Sequence, residues 1–187
     1  NLQTGSASGG ESGSIDMHTG NALGGSSGDI RFSAGSSNVG KGGSLYLNAG
    51  ESMQMTGGSI QITSGGSKSG HGGSININTG ISEGSAGSGA IEMHTGKSIN
   101  GGSGSMSLFT GASGAGSSGN ILLSVGKSNG GVGGNIDIIG GTSELASGGA
   151  ITLASGGSVS GRSGDVTIAS GRGKKGSGSL RIHTGVA

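Results

Sequence analysis

A repeat of about fifteen residues runs through the whole chain and constrains its fold more than any other feature. Residues 59–73 read SIQITSGGSKSGHGG, and the stretches at 44–58 and 74–89 begin in the same way. In each repeat two large apolar residues stand two positions apart, a small third residue and a glycine follow, and a glycine-rich corner closes the repeat. A spacing of two is the period of a β-strand rather than of a helix. A single strand of this kind cannot bury its apolar face, but stacked copies can.

The repeat therefore predicts an all-β protein, a single-stack parallel β-solenoid of about twelve coils of about fifteen residues with a thin core. Residues 1–187 would form one continuous domain, and because both ends fall inside a repeat we expect a segment of a longer repetitive chain. The core would consist of paired aliphatic side chains facing a wall of Ser and Gly. The predicted core residues are Ile60, Ile62, Ile75, Ile77, Ile91, Met93, Ile121, Leu123, Ile136, Ile138, Ile151 and Leu153.

A glycine follows the small third residue of every repeat. We expect it to permit a bend with positive φ or a close approach of the backbone. A serine recurs two residues after this glycine in most repeats, as Ser67 does after Gly65. The predicted turn glycines are Gly20, Gly35, Gly50, Gly65, Gly80, Gly96, Gly111, Gly126, Gly141, Gly156, Gly171 and Gly185.

The composition alone is typical of a flexible linker, because 50 of the 187 residues are Gly and only 28% are hydrophobic. The fixed register of Ile, Leu, Met and Val argues instead for an ordered repeat. The chain has no Cys, which excludes disulfides and thiolate metal sites. Its net charge of +1 gives no electrostatic reason to expect a nucleic-acid partner. No apolar run is long enough to predict a membrane span.

The sequence shows no arrangement of residues that predicts catalysis. His18, His94 and His183 share one outward position, but they belong to distant repeats and would not converge on a metal. The acidic residues are scattered rather than paired. We therefore predict a protein that is not an enzyme, with no catalytic residues, no cofactor and no metal site.

Large apolar residues at outward positions suggest a contact surface. Phe109, Leu122 and Ile139 hold such positions in three successive repeats, and Leu145 lies in the following corner. A contiguous exposed apolar strip favours a lateral contact with another molecule. The alternative is that a neighbouring corner of the same chain covers these side chains.

Charge is distributed unevenly along the chain. Glu11, Asp16 and Asp29 lie near its start, whereas Arg172, Lys174 and Lys175 lie near its end. Opposite charge at the two ends could favour head-to-tail stacking of segments. The alternative is that these are ordinary solvated corner residues.

The repeat S-I-x-I-x-T-G-x-S-x-x-G-x-G-G resembles the Gly/Ser-rich repeats of very large surface and secreted proteins of heterokont algae, and the resemblance covers essentially the whole chain. It implies an extracellular or cell-surface location and a role in structural or adhesive fibres, such as the shafts of flagellar hairs (mastigonemes). It implies no catalytic residues. The chain has no N-x-Ser/Thr sequon, so its many Ser and Thr residues are the candidates for glycans, through O-linkage.

These observations favour a structural, non-catalytic subunit of an extracellular fibre or filament that acts through stacking and lateral contacts. We expect its partners to be further copies of itself or other fibre subunits. Two alternatives stay open at this stage. The chain could be an adhesin or stalk that presents a binding face, or an ice-binding β-solenoid that uses its ladder of Thr residues.

Overall fold

The computed structural model describes residues 1–185, and its internal contacts divide the chain into two units, Asn1–Met93 and His94–Ala187. Neither unit contains a helix or a strand within the described residues. The regular feature of each unit is a bend that recurs once per repeat. In the first unit the bends lie at residues 8–10, 23–25, 38–40, 53–55, 68–70 and 84–86. In the second they lie at residues 99–101, 114–116, 129–131, 144–146 and 159–161, followed by a turn at 174–175.

The prediction of an all-β, parallel β-solenoid was therefore wrong. Every hydrogen bond among residues 1–185 joins residues at most nine positions apart, so no ladder connects one repeat to the next. A ladder would require ordering a long glycine-rich chain, and Gly loses more conformational freedom than any other residue. Each repeat offers only two large apolar side chains to offset that cost.

The thin core that the solenoid implied is also missing from the described part of the chain, where no residue is buried. The twelve predicted core residues keep 48–73% of their surface exposed. Gly140 is the one described residue that is partly buried. The repeats are therefore organised locally, around their corners, rather than around a shared interior.

A serine hydroxyl fixes most of these corners. In eight repeats the recurrent serine accepts a hydrogen bond at Oγ from the backbone N–H three residues later, over 2.8–3.1 Å. This is the side-chain-to-backbone bond of an ST turn. In the longer repeat at 74–89, the Ser82 hydroxyl instead donates to the Ala86 carbonyl over 2.7 Å. The eight accepting serines are Ser37, Ser52, Ser67, Ser98, Ser113, Ser128, Ser143 and Ser158.

Five corners are closed by a backbone bond as well. We call the glycine after the third residue the opening glycine and the last glycine of the repeat the closing glycine. The closing glycine donates its N–H to the carbonyl of the opening glycine eight residues earlier, over 2.8–3.0 Å. The bonded pairs are Gly43–Gly35, Gly58–Gly50, Gly73–Gly65, Gly149–Gly141 and Gly164–Gly156.

Among the repeats of fifteen or sixteen residues, the size of the third residue separates the closed corners from the open ones. The shorter repeat at 165–178 has a small third residue, Ser170, but no closing bond. In the five closed corners it is Ala, Ser or Gly, namely Ala34, Ala49, Ser64, Gly140 and Ser155. In the five complete described repeats where it is Thr or Val, the closing bond is absent. Those residues are Thr19, Thr79, Thr95, Thr110 and Val125.

A β-branched side chain holds the two arms of the corner apart. The point where a Cβ would lie on Gly28 is 3.6 Å from Cγ2 of Thr19. In the closed corner that contains Ala49, the same point on Gly58 is 3.2 Å from the backbone N of Gly50. The Thr19 hydroxyl donates to the Gly28 carbonyl over 3.0 Å, so it partly replaces the missing backbone bond.

Replacing Ser64 with Val should open its corner. The Gly73 N–H bonds the Gly65 carbonyl over 2.8 Å, and a branched side chain at 64 would occupy the space between the arms. Because a net hydrogen bond contributes about 0.5–1.5 kcal/mol, amide hydrogen exchange at Gly73 should accelerate about two- to tenfold. Thr79→Val is the matched control, since its corner is already open and exchange at Gly89 should not change. An unchanged exchange rate at Gly73 in Ser64→Val would show that the size of the third residue does not control the closing bond.

The opening glycines, which are the predicted turn glycines, show neither of the two properties expected of them. Positive φ occurs within residues 1–185 only at Gly10 and Gly176, and neither is an opening glycine. A Cβ on any opening glycine would meet nothing within 4 Å. The close approach falls on the closing glycine instead, because a Cβ on Gly43 would lie 2.9 Å from the Cβ of Ala34.

Candidate functional site

Two large apolar residues per repeat form the most regular chemical feature of both units. We call the two sets the apolar rows, the first row holding the first apolar residue of each repeat and the second row the second. The first row is Ile15, Ile30, Leu45, Ile60, Ile75 and Ile91 in the first unit and Met106, Ile121, Ile136, Ile151, Val166 and Leu180 in the second. The second row is Met17, Phe32, Leu47, Ile62, Ile77 and Met93 in the first unit and Leu108, Leu123, Ile138, Leu153, Ile168 and Ile182 in the second.

The apolar rows are partly covered by their own repeats and otherwise face solvent. Side chains of the first row keep 47–60% of their surface exposed, and those of the second row keep 54–86%. Leu122, which stands between two row residues, is 86% exposed, whereas its neighbour Ile121 is 56% exposed. First-row side chains are thus more covered than this outward one, whereas second-row Leu108 and outward Phe109 are equally exposed, at 79% and 80%. The row side chains therefore leave between about half and nine-tenths of their surface in contact with solvent.

The total exposed surface shows how much of the chain is available for contact. The accessible area is 18935 Å² for a chain of 17.4 kDa. A compact globular protein of that mass exposes about 7,900 Å², and its unfolded chain about 25,000 Å². The excess over a globular protein is several times the roughly 1,200–2,000 Å² that a specific interface buries. A large contact surface is therefore present without any rearrangement of an interior.

The residues predicted to make lateral contacts are all solvent-exposed. Phe109, Leu122, Ile139 and Leu145 are 80–100% exposed, so no corner of the described chain covers them. Their role in a lateral contact stays a prediction. The sequence analysis did not single out the other apolar residues in the corners, although a large side chain inside a Gly/Ser-rich run marks them. These are Leu23, Val39, Met53, Met55, Ile81, Ile99, Val132 and Val159.

The described residues form no site of the kind that binds a small ligand or a metal. Residues 1–185 enclose no cavity, and no three or more of their His, Asp and Glu residues are grouped as metal ligands would be. His183 contacts only the neighbouring backbone, with Nδ1 3.3 Å from the Thr184 carbonyl oxygen. That the chain is not an enzyme stays a prediction. Over the same residues, no helix could cross a lipid bilayer.

The candidate site is therefore the pair of apolar rows, which is a surface rather than a pocket. What this surface can do chemically is to exclude water against a matching apolar surface. Comparison with protein-family models, with curated proteins and with solved structures found no match to the chain.

Proposed function

We propose that the chain is a non-catalytic structural subunit of an extracellular fibre or filament, and that copies assemble by covering one another's apolar rows. The observation that carries the proposal is the regular exposure of the rows in a chain whose described part has no buried residue. Contiguous apolar surface beyond a few hundred Å² marks interaction sites in soluble proteins. A repeat that presents the same two side chains each time exposes apolar surface at regular intervals along the sequence.

Free backbone groups support the same proposal. Residues 1–185 form six hydrogen bonds between backbone groups and twelve that involve a side chain. A folded globular protein has about one intramolecular hydrogen bond per residue. Most N–H and C=O groups of this chain are therefore available to a second chain, and they would be costly to bury without one.

The extracellular location rests on the resemblance of the repeat to those of algal surface proteins, and O-linked glycans on the exposed Ser and Thr side chains are part of the same proposal. The ice-binding alternative depended on the flat, regular face of a solenoid. Because residues 1–185 contain no strand, that basis is gone.

Sedimentation velocity over a concentration series tests the proposal. Mass action should shift the chain from a slow single species to large assemblies as its concentration rises from about 1 to about 100 µM. Electron microscopy of the large species should show elongated particles. A single chain that sediments alone over the whole range would contradict self-assembly and would favour an isolated stalk.

A further inference from the structure

The two units carry opposite net charge. Asn1–Met93 contains three Lys and Arg and six Asp and Glu, a net charge of −3. His94–Ala187 contains seven Lys and Arg and three Asp and Glu, a net charge of +4. The net charge of +1 for the whole chain therefore conceals an acidic unit and a basic unit.

These charges are available at the surface. The one ion pair among the described residues joins Arg31 to Asp29 over 2.5 Å, and both side chains remain exposed. The other charged side chains of residues 1–185 are also exposed and make no ion pair. Their fields are therefore not cancelled locally and act on whatever approaches each unit.

The apolar rows do not select an orientation for assembly, because both units present the same pattern of two large side chains per repeat. Charge does distinguish the units. Pairing like units would bring −3 against −3 and +4 against +4, whereas pairing unlike units would bring opposite charges together. Electrostatic complementarity of this kind sets register and excludes wrong arrangements more than it adds affinity.

We infer that copies of the chain associate with the acidic unit of one copy, Asn1–Met93, against the basic unit of another, His94–Ala187. This inference rests on the proposed self-assembly and adds its orientation. The partner is thus a second copy of this chain, placed head to tail or antiparallel rather than in parallel register.

Reversing two charges in the basic unit tests the orientation. Lys174 and Lys175 form the turn at 174–175, where the Gly176 N–H donates to the Gly173 carbonyl over 3.3 Å, and neither belongs to an apolar row. Lys174→Glu with Lys175→Glu changes the charge of this unit by −4, from +4 to zero. We expect the concentration needed for assembly to rise about threefold or more at low salt, and the difference to vanish at about 0.5 M salt. In a parallel arrangement the same change would relieve repulsion and lower that concentration.

Two further variants separate charge from local structure. Lys174→Arg with Lys175→Arg keeps the charge and should assemble like the natural chain. Arg162→Glu with Arg172→Glu makes the same change of −4 outside that turn and should weaken assembly to a similar degree. If both charge-reversed variants assemble as readily as the natural chain, or more readily, the orientation is wrong although self-assembly stands. If the natural chain itself stays monomeric, both proposals fail.

Discussion

Replacing Ile75 and Ile77 with Asp is expected to abolish assembly at concentrations where the natural chain is fully assembled. The two residues belong to the apolar rows of one repeat and keep 50% and 67% of their surface exposed. Complete burial of an aliphatic side chain contributes about 1.5–3 kcal/mol, and an unpaired carboxylate is costly to bury in its place. If a partner covers only the exposed half of each side chain, losing the burial of both Ile side chains costs about 1.5–3 kcal/mol of assembly free energy, and burying the carboxylates adds to this cost. We expect the concentration needed for assembly to rise at least about a hundredfold in sedimentation.

Met53→Asp with Ile81→Asp is the matched control. Both side chains lie in corners of the same unit, are almost fully exposed and stand outside the apolar rows. The control adds the same two negative charges and removes two large apolar side chains. It should assemble at nearly the concentration of the natural chain. Equal effects of the two double variants would show that general hydrophobicity or charge, rather than the rows, determines assembly.

The local plan of each repeat could be predicted from the sequence, but the absence of a sheet among residues 1–185 could not. The spacing of Ile121 and Leu123 around Leu122 predicts which side chains are alike, and their exposure differs in the expected sense. A period of two says which residues share a face, but it does not say whether the same chain covers that face. The solenoid required each repeat to pair with the next, and a glycine-rich repeat with two large side chains provides little to hold that pairing.

Whether a corner closes depends on the branching of its third residue, which is visible in the sequence. The third residue is small in every repeat, but Ala49 and Ser64 lack the branched side chains of Thr19 and Val125. The branched side chains of this group keep their corners open, so the distinction between Ala or Ser and Thr or Val was the useful signal. The recurrent serine was visible as a pattern, but its role as an acceptor for the amide three residues later required coordinates.

The recurrence of a glycine in the sequence does not show whether its position is sterically tight. The opening glycines recur in every repeat, and this regularity suggested a special backbone conformation. In the described chain the tightest positions include some closing glycines, such as Gly43 and Gly58, but also Gly140 and Gly173, which are neither opening nor closing glycines. Recurrence alone does not tell which of two glycines is sterically required, because both recur at the same period.

If the apolar rows face another copy of the chain in the assembled state, the five methionines report it directly. Met17, Met93 and Met106 belong to the rows and are 54–73% exposed, whereas Met53 and Met55 lie in one corner and are 82–102% exposed. Methionine oxidation follows exposure, so all five should be oxidised at similar rates in dilute solution. Mass spectrometry after peroxide treatment gives the rate at each site.

In the assembled protein we predict that oxidation of Met17, Met93 and Met106 slows about tenfold or more, while Met53 and Met55 react as they do in dilute solution. The corner methionines serve as the internal control for access of the oxidant. Two outcomes would contradict assembly through the apolar rows. One is protection of Met53 and Met55 while the row methionines stay reactive, and the other is equal oxidation rates at all five sites before and after assembly.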